Sequence, residues 1–350
     1  MWVAGFAFGA ILLAQESSQQ SSTWTIDSSG QRVEGHTYTS EESPGGGRHI
    51  EAARSINGRM VPVQSTEDRV LRQDPQGKSL ERIVRKYDQN GNPVPAAKVL
   101  TEETKNPDGS TTITSSAYEA DLNGNMRLSE RSTTQIRKGA TTETTTTVER
   151  TGLNGSLQTT ERAMSVERPA AGGSQVESTV YRRDVSGNLT PVAQDIKQIS
   201  KKGAEETVDD SHYEVDATGK LVLASRAIDH VKKNPNGSSV TETDVYSKFS
   251  VGRTQDATAT GEPKLQQQVR RERAVGPDGT VVETTSARAR LPNDQSQFGT
   301  YEKASQVTYT STDASGRQIK NTTTVVGRRD TNGQIIVDSG QTEQSISTKK

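Results

Sequence analysis

Cysteine is absent from these 350 residues, so no disulfide, thiolate metal site or lipid-modified cysteine is available to the chain. Aromatic residues make up 4% and all hydrophobic residues together 29%. Even with glycine added, the total stays under the roughly 45–50% of ordinary globular chains. A single thick core is out of reach. A surplus of one charge is missing too, because 43 basic residues face 44 acidic ones, a net charge of −1. That balance gives no basic field for nucleic acid and no self-repulsion to keep the chain expanded. Mean hydropathy is −0.80, and the one apolar run, Val3 to Ala14, has the length of a signal h-region and is too short for a helical span. Residues 1–14 are therefore expected to be an export signal and 15–22 a polar linker. The mature chain is expected to lack a stable membrane span and to sit outside the cell, on its surface or in a periplasm.

What the chain does have is punctuation. Turn glycines fall at Gly91, Gly109, Gly124, Gly139, Gly155, Gly173, Gly187, Gly203, Gly219, Gly237 and Gly252, about one per strand-plus-turn of an antiparallel array. Asn106-Pro107-Asp108-Gly109, Asn234-Pro235-Asn236-Gly237 and Gly276-Pro277-Asp278-Gly279 place proline where φ must be near −65° and glycine where φ must be positive, as in a type I turn closed by a G1 bulge. Other turns, such as Asn90-Gly91, Asn123-Gly124 and Asn154-Gly155, suit two-residue hairpin loops. Alternation of the two gives a unit of about 32 residues. Disordered linkers share this composition, but regularly spaced turns have no use in a coil.

Between the turns lie β-branched runs such as Ser110 to Tyr118 and Thr141 to Val148, poor in helix propensity and suited to a pleated surface. Tyrosines mark one phase of the repeat. Tyr87, Tyr118, Tyr181, Tyr213 and Tyr246 are separated by 31, 63, 32 and 33 residues, Val148 takes the skipped place, and Tyr309 lies another 63 on. One face at one end of the sheet should carry them, and these six are the candidate interaction surface.

Tyr118-Glu119-Ala120-Asp121-Leu122-Asn123-Gly124, Tyr181-Arg182-Arg183-Asp184-Val185-Ser186-Gly187 and Tyr213-Glu214-Val215-Asp216-Ala217-Thr218-Gly219 resemble the tyrosine-aspartate (YD) repeats of bacterial Rhs-type secreted proteins. The resemblance covers roughly residues 80 to 250. It implies long antiparallel strips that coil into shells around a cargo or form extended surface structures. Tyr87-Asp88 is the only adjacent pair, and elsewhere two residues intervene.

Catalytic motifs are missing. There is no G-x-S-x-G, no P-loop and no dinucleotide fingerprint, and His36, His49, His212 and His230 lack metal-ligand spacing. Acidic pairs such as Glu205-Glu206 and Asp209-Asp210 read as solvated charges. Asp88 to Asn92 and Asp121 to Asn125 gather oxygen ligands around a glycine, but Val99 stands where a calcium loop needs its bidentate Glu, and turn formation explains them without metal. No catalytic, cofactor or metal residue is expected.

The expected fold is all-β, an elongated array of antiparallel hairpins of about twenty strands forming an extended twisted sheet or a solenoid. Residues 23–80 would be irregular N-terminal hairpins, 81–252 the regular repeats, 253–345 repeats with loop insertions, and 346–350 a tail. The expected function is a non-catalytic scaffold or adhesin that binds a protein or glycan at the cell surface, with self-association through edge strands. A carrier or shell segment of a YD-repeat toxin system is one alternative, and a glycan-binding tyrosine ladder is another.

Overall fold

The computed structural model describes residues 16–26, 31–43, 46–248, 262–290, 297–299, 302–313, 317–329 and 335–348. The proposed signal therefore lies outside the described residues, as do 253–261 and 291–296 of the expected repeats with loop insertions. Twenty strands follow one another. The first ten are β1 (Glu16–Ile26), β2 (Arg32–Ser43), β3 (Gly47–Ile56), β4 (Arg59–Asp74), β5 (Gly77–Tyr87), β6 (Pro93–Lys105), β7 (Thr111–Ala120), β8 (Met126–Lys138), β9 (Thr142–Thr151) and β10 (Leu157–Ala170). The remainder are β11 (Gly173–Arg183), β12 (Leu189–Lys202), β13 (Glu205–Val215), β14 (Leu221–Lys233), β15 (Ser239–Ser247), β16 (Lys264–Val275), β17 (Val281–Ala289), β18 (Glu302–Thr312), β19 (Arg317–Arg329) and β20 (Ile335–Thr348).

Each strand pairs antiparallel with the next, from β1 with β2 to β19 with β20. The ring then closes. β1 pairs with β20 in a register that runs from Glu16 opposite Ser347 to Thr25 opposite Ser339. This corrects the expected extended sheet or solenoid, since the all-β reading holds but the array is a closed antiparallel barrel. It also places residues 15–22, expected as a linker, largely within the closing strand, and most of the expected tail within β20.

Closure has a physical reason in the composition. An open array this long would leave two edge strands with unpaired N–H and C=O groups, and only closure removes both edges. With little apolar surface to bury, the chain takes its stability from strand pairing. Hydroxyl ladders contribute, such as Thr134 Oγ1 to Thr146 Oγ1 at 2.9 Å and Thr308 Oγ1 to Thr322 Oγ1 at 3.1 Å, each pair worth roughly 0.2–1 kcal/mol.

The barrel is hollow. Its accessible surface is 23218 Å², whereas a compact chain of 37.8 kDa would expose about 13,800 Å². No large side chain among the described residues is fully buried. At about 4.8 Å between strands and a tilt of 35–45°, a circular ring of twenty strands would measure roughly 40 Å across between backbones.

Turns after even-numbered strands, together with both ends of the strand series, form one rim; turns after odd-numbered strands form the other. The Asn106, Asn234 and Gly276 turns take the expected bulged form: Gly109 N–H donates to Asn106 O and Asn106 N–H to Ser110 O, and the other two repeat this. The turns at 88–92, 121–125, 152–156, 184–188 and 216–220 share that hydrogen-bond pattern, so the two-residue form expected for several of them is not adopted. An aspartate opens four of the five and supports this form. Asp121 Oδ1 accepts from the backbone N–H of Asn123 at 2.9 Å and of Asn125 at 3.0 Å, and Asp88 and Asp216 do the same in their own turns.

These bonds favour the ionised carboxylate. The Asn92 amide holds the Asp88 carboxyl below its usual range, the Asn125 amide does so for Asp121, and the Thr218 hydroxyl leads for Asp216. A lowered folded value stabilises the barrel above the unfolded carboxyl pKa of about 3.9, and that contribution disappears as pH falls through the folded values. Far-UV circular dichroism should therefore hold steady from pH 7 to about 5 and change below about 4. Loss of strand signal already between pH 7 and 5 would contradict this.

Candidate functional site: a polar lumen and a tyrosine collar

Registers around the ring sort the side chains into two faces. Tyr118 stands opposite Leu128, Tyr181 between Arg162 and Pro191, Tyr213 between Gln194 and Leu223, and Tyr246 between Arg226 and Leu265. Tyr87, opposite Pro93, shares their face. At mid-strand the exposed side chains Gln135, Arg162, Met164, Gln198, Arg226 and His230 all lie on this face. Ala163, Ser165, Lys197, Ala227 and Asp229 on the other face are half-buried. A convex wall splays its side chains apart and a concave one crowds them, so the tyrosines face outward.

Five of the six candidate tyrosines are thereby brought together as a collar at the rim formed by the odd-strand turns. Tyr309 shares the outward face but pairs with Asn321 towards the opposite rim, outside the collar. Each of Tyr118, Tyr181, Tyr213 and Tyr246 immediately follows a register shift against the next strand. The repeated tyrosine thus marks a β-bulge, which bends the wall and re-aims its side chains. On β9 the equivalent place is held by Glu149, which pairs with Thr159 just past the shift, whereas Val148 pairs with Glu161 before it. Val148 therefore points to the other face. Lys98 lies over the Tyr118 ring at 5.1 Å, and the Tyr87 hydroxyl donates to Glu51 Oε1 at 3.2 Å. Beside and beyond the tyrosines the outer face is polar, with pairs such as Arg226–Asp209 next to Tyr246 and Arg69–Glu67.

The inward face is lined by serine, threonine, alanine and valine, interspersed with charges. On β12–β14 it carries Asp195, Asp210, Glu214 and Asp229 beside Lys197 and His212. His212 Nδ1 is 2.6 Å from Asp195 Oδ1, and its Nε2 is 3.4 Å from Glu214 Oε1. On β3–β5 it carries Arg48, Arg54, Arg82 and Lys86, with Asp68 held by Arg82 in a two-bond fork at 2.6 and 2.8 Å. β13 follows β4 by nine strands in a ring of twenty, so the acidic and basic walls face each other across the lumen. Composition concealed this segregation, because the charges cancel over the chain and only the register separates them.

Among the described residues no group of three or more His, Cys, Asp or Glu is arranged to hold a metal. The carboxylates of the Asp88 and Asp121 turns are taken up by their own turn amides. A shallow depression of about 310 Å³ beside Asp121, Arg127 and Leu128 lies at the collar rim.

The class defined is a closed, twenty-stranded antiparallel β-barrel. No family model and no curated protein matches the chain. Among solved structures it is similar to OccK5 (OpdH) of Pseudomonas aeruginosa, with 10% identity over 95% of this chain and 96% of that one and a TM-score of 0.44. It is also similar to a BenF-like porin from Pseudomonas fluorescens Pf-5, with 9% identity, coverage of 96% and 99%, and a TM-score of 0.45. Salmonella typhi OmpF aligns at 7% identity over 94% and 95% of the chains, with a TM-score of 0.34. At these scores the likenesses carry no argument, and closure stands on the strand pairing.

Closure overturns three expectations. The scaffold or adhesin reading and its glycan-ladder alternative assumed an open array of hairpins, and the shell-segment alternative a strip coiled around a cargo; the pairing instead gives one self-closing ring. Self-association through edge strands loses its basis because β1 and β20 satisfy each other. The absence of a stable membrane span was inferred from the lack of a long apolar run. That criterion applies to helices and does not bear on a closed barrel, so the expectation loses its basis.

Proposed function

We propose that this chain is a channel-type protein, a non-catalytic conduit for small polar solutes. The observation that carries the reading is the β1–β20 seam, which turns a thin polar sheet into a tube open to water along its length. A lumen lined by hydroxyls and paired charges keeps solutes hydrated, and the facing acidic and basic walls orient dipolar or zwitterionic molecules between them. Placement in the outer envelope of an exporting cell, at the surface, fits such a conduit and the apolar start of the sequence.

Purified barrel added to vesicles loaded with a small hydrophilic dye should release it, while a large dextran stays inside. Replacing Asp195, Asp210 and Asp229 together by asparagine should shift the cation-to-anion permeability ratio several-fold towards anions. Vesicles that bind the protein yet retain the dye would sink the conduit reading.

A further inference from the structure

Among the described residues, turns of the bulged form differ between the two rims in the residue at the tip, and the collar rim has Gln89 and Ala217 there in the two flanking turns. On the rim that carries both ends of the strand series, the second turn position is Pro107, Pro235 or Pro277, the residue that type I geometry favours there. On the collar rim the same position holds Leu122, Leu153 and Val185 in three consecutive hairpins, with exposures of 107%, 113% and 107%. Turn geometry asks for no apolar side chain at that place. The aspartates that shape two of these turns, Asp121 and Asp184, are occupied by backbone amides, and Asp121 is also paired with Arg127 at 2.9 Å. The apolar tips therefore stand forward of charges that are already satisfied.

We infer that this crest, with the tyrosine collar behind it, docks the collar rim into a zwitterionic lipid surface. Area decides for lipid over a protein. A Leu or Val side chain offers on the order of 100 Å² of apolar surface, so three tips supply about 300 Å², far below the roughly 800 Å² per partner of a stable protein interface. Consecutive tips are two strands apart, about 10 Å, too widely spaced for one pocket. An apolar medium needs no shape match and accepts all three at once. Behind the crest Tyr118 and Leu128 on one side and Tyr181 and Pro191 on the other add apolar surface, flanking Glu149 and Arg162, and tyrosine suits the boundary between headgroups and acyl chains.

Flotation of the purified full chain with phosphatidylcholine vesicles tests this directly. Wild type should rise with the lipid. The triple variant Leu122→Asp, Leu153→Asp and Val185→Asp should leave at least tenfold less protein in the floating fraction, with an unchanged circular dichroism spectrum. Pro107→Asp, Pro235→Asp and Pro277→Asp combined, on the opposite rim, should float within twofold of wild type. Wild type that stays in the bottom fraction, or a crest variant that floats as well as wild type, overturns the inference. Docking does not depend on the conduit reading: crest-dependent flotation without dye release would refute only the conduit, and crest-independent binding with release would refute only the docking.

Discussion

Gly340→Val should destabilise the barrel at its seam by about 3 kcal/mol or more, at the upper end of what overpacking costs. Trp24 on β1 is directly opposite Gly340 on β20, and its side chain is among the few buried apolar groups. A Cβ placed on Gly340 would overlap the Trp24 ring and come within 2.7 Å of the Thr324 carbonyl oxygen. Arg32 covers the ring at 5.0 Å from its centroid. An aromatic side chain laid over a cross-strand glycine is an established way of shielding a weak place in a sheet, and here it shields the place where the ring closes. Urea unfolding should show a lower midpoint for Gly340→Val, with Trp24 emission shifted to the red before denaturant is added. Trp24→Ala should recover part of the loss in the double variant, because it removes one of the two obstructing groups, giving a coupling of roughly 1–3 kcal/mol. Full additivity of the two changes would separate Trp24 from the effect of the glycine.

The second large effect is expected at Gly173, for a different reason. This residue opens β11 after a two-residue loop and pairs with Ser200. A Cβ there would overlap the carbonyl oxygen of Ile199, and Gly77 and Gly47 meet the carbonyls of Glu103 and Asp68 in the same way. These obstructions are backbone atoms of the adjacent strand, which cannot rotate away as a side chain can. Gly173→Ala should cost about 1–3 kcal/mol, and Gly173→Val more. Gly124 provides the contrast, with φ of +80° and open space around it; Gly124→Ala should cost only about 1 kcal/mol through backbone strain. Chemical denaturation that ranked Gly124→Ala above Gly173→Ala would contradict the close packing of β11 on β12.

Much of the wall was legible before its shape was known. Threonine runs specified strands, NPDG turns specified bulged reversals, and the tyrosine spacing identified one face at one rim. The reason for that spacing was not legible, because a β-bulge is a property of two strands and a residue series reports only one. Val148 was misread for a simpler reason: the spacing of 31 to 33 residues, counted on from Tyr118 and back from Tyr181, meets at Glu149, and the neighbouring apolar residue was taken in its place. Closure was hidden as the bulges were. The seam joins Gln19, Gln20 and Ser21 to Ser345, Gln344 and Glu343, polar residues indistinguishable from a linker. Its one distinctive pair, Trp24 with Gly340, lies at the far ends of the chain. Local rules fix local reversals, and no local rule says where the twentieth strand goes. The lumen was illegible in turn, because opposing acidic and basic walls exist only once β4 and β13 are placed across a ring.

A designed cross-link across the seam gives the most direct test of closure. The chain has no cysteine, so Gln20→Cys with Gln344→Cys introduces the only two thiols. These positions are direct partners on β1 and β20, and cross-strand partners lie about 4.5–5.5 Å apart at Cα, within disulfide reach. Oxidation of dilute protein should give an intramolecular disulfide in nearly every molecule, seen as a faster-migrating band that reverts on reduction. Free thiols persisting after oxidation, or cross-linking only between separate molecules, would mean that the first and last strands do not meet and that the barrel is open.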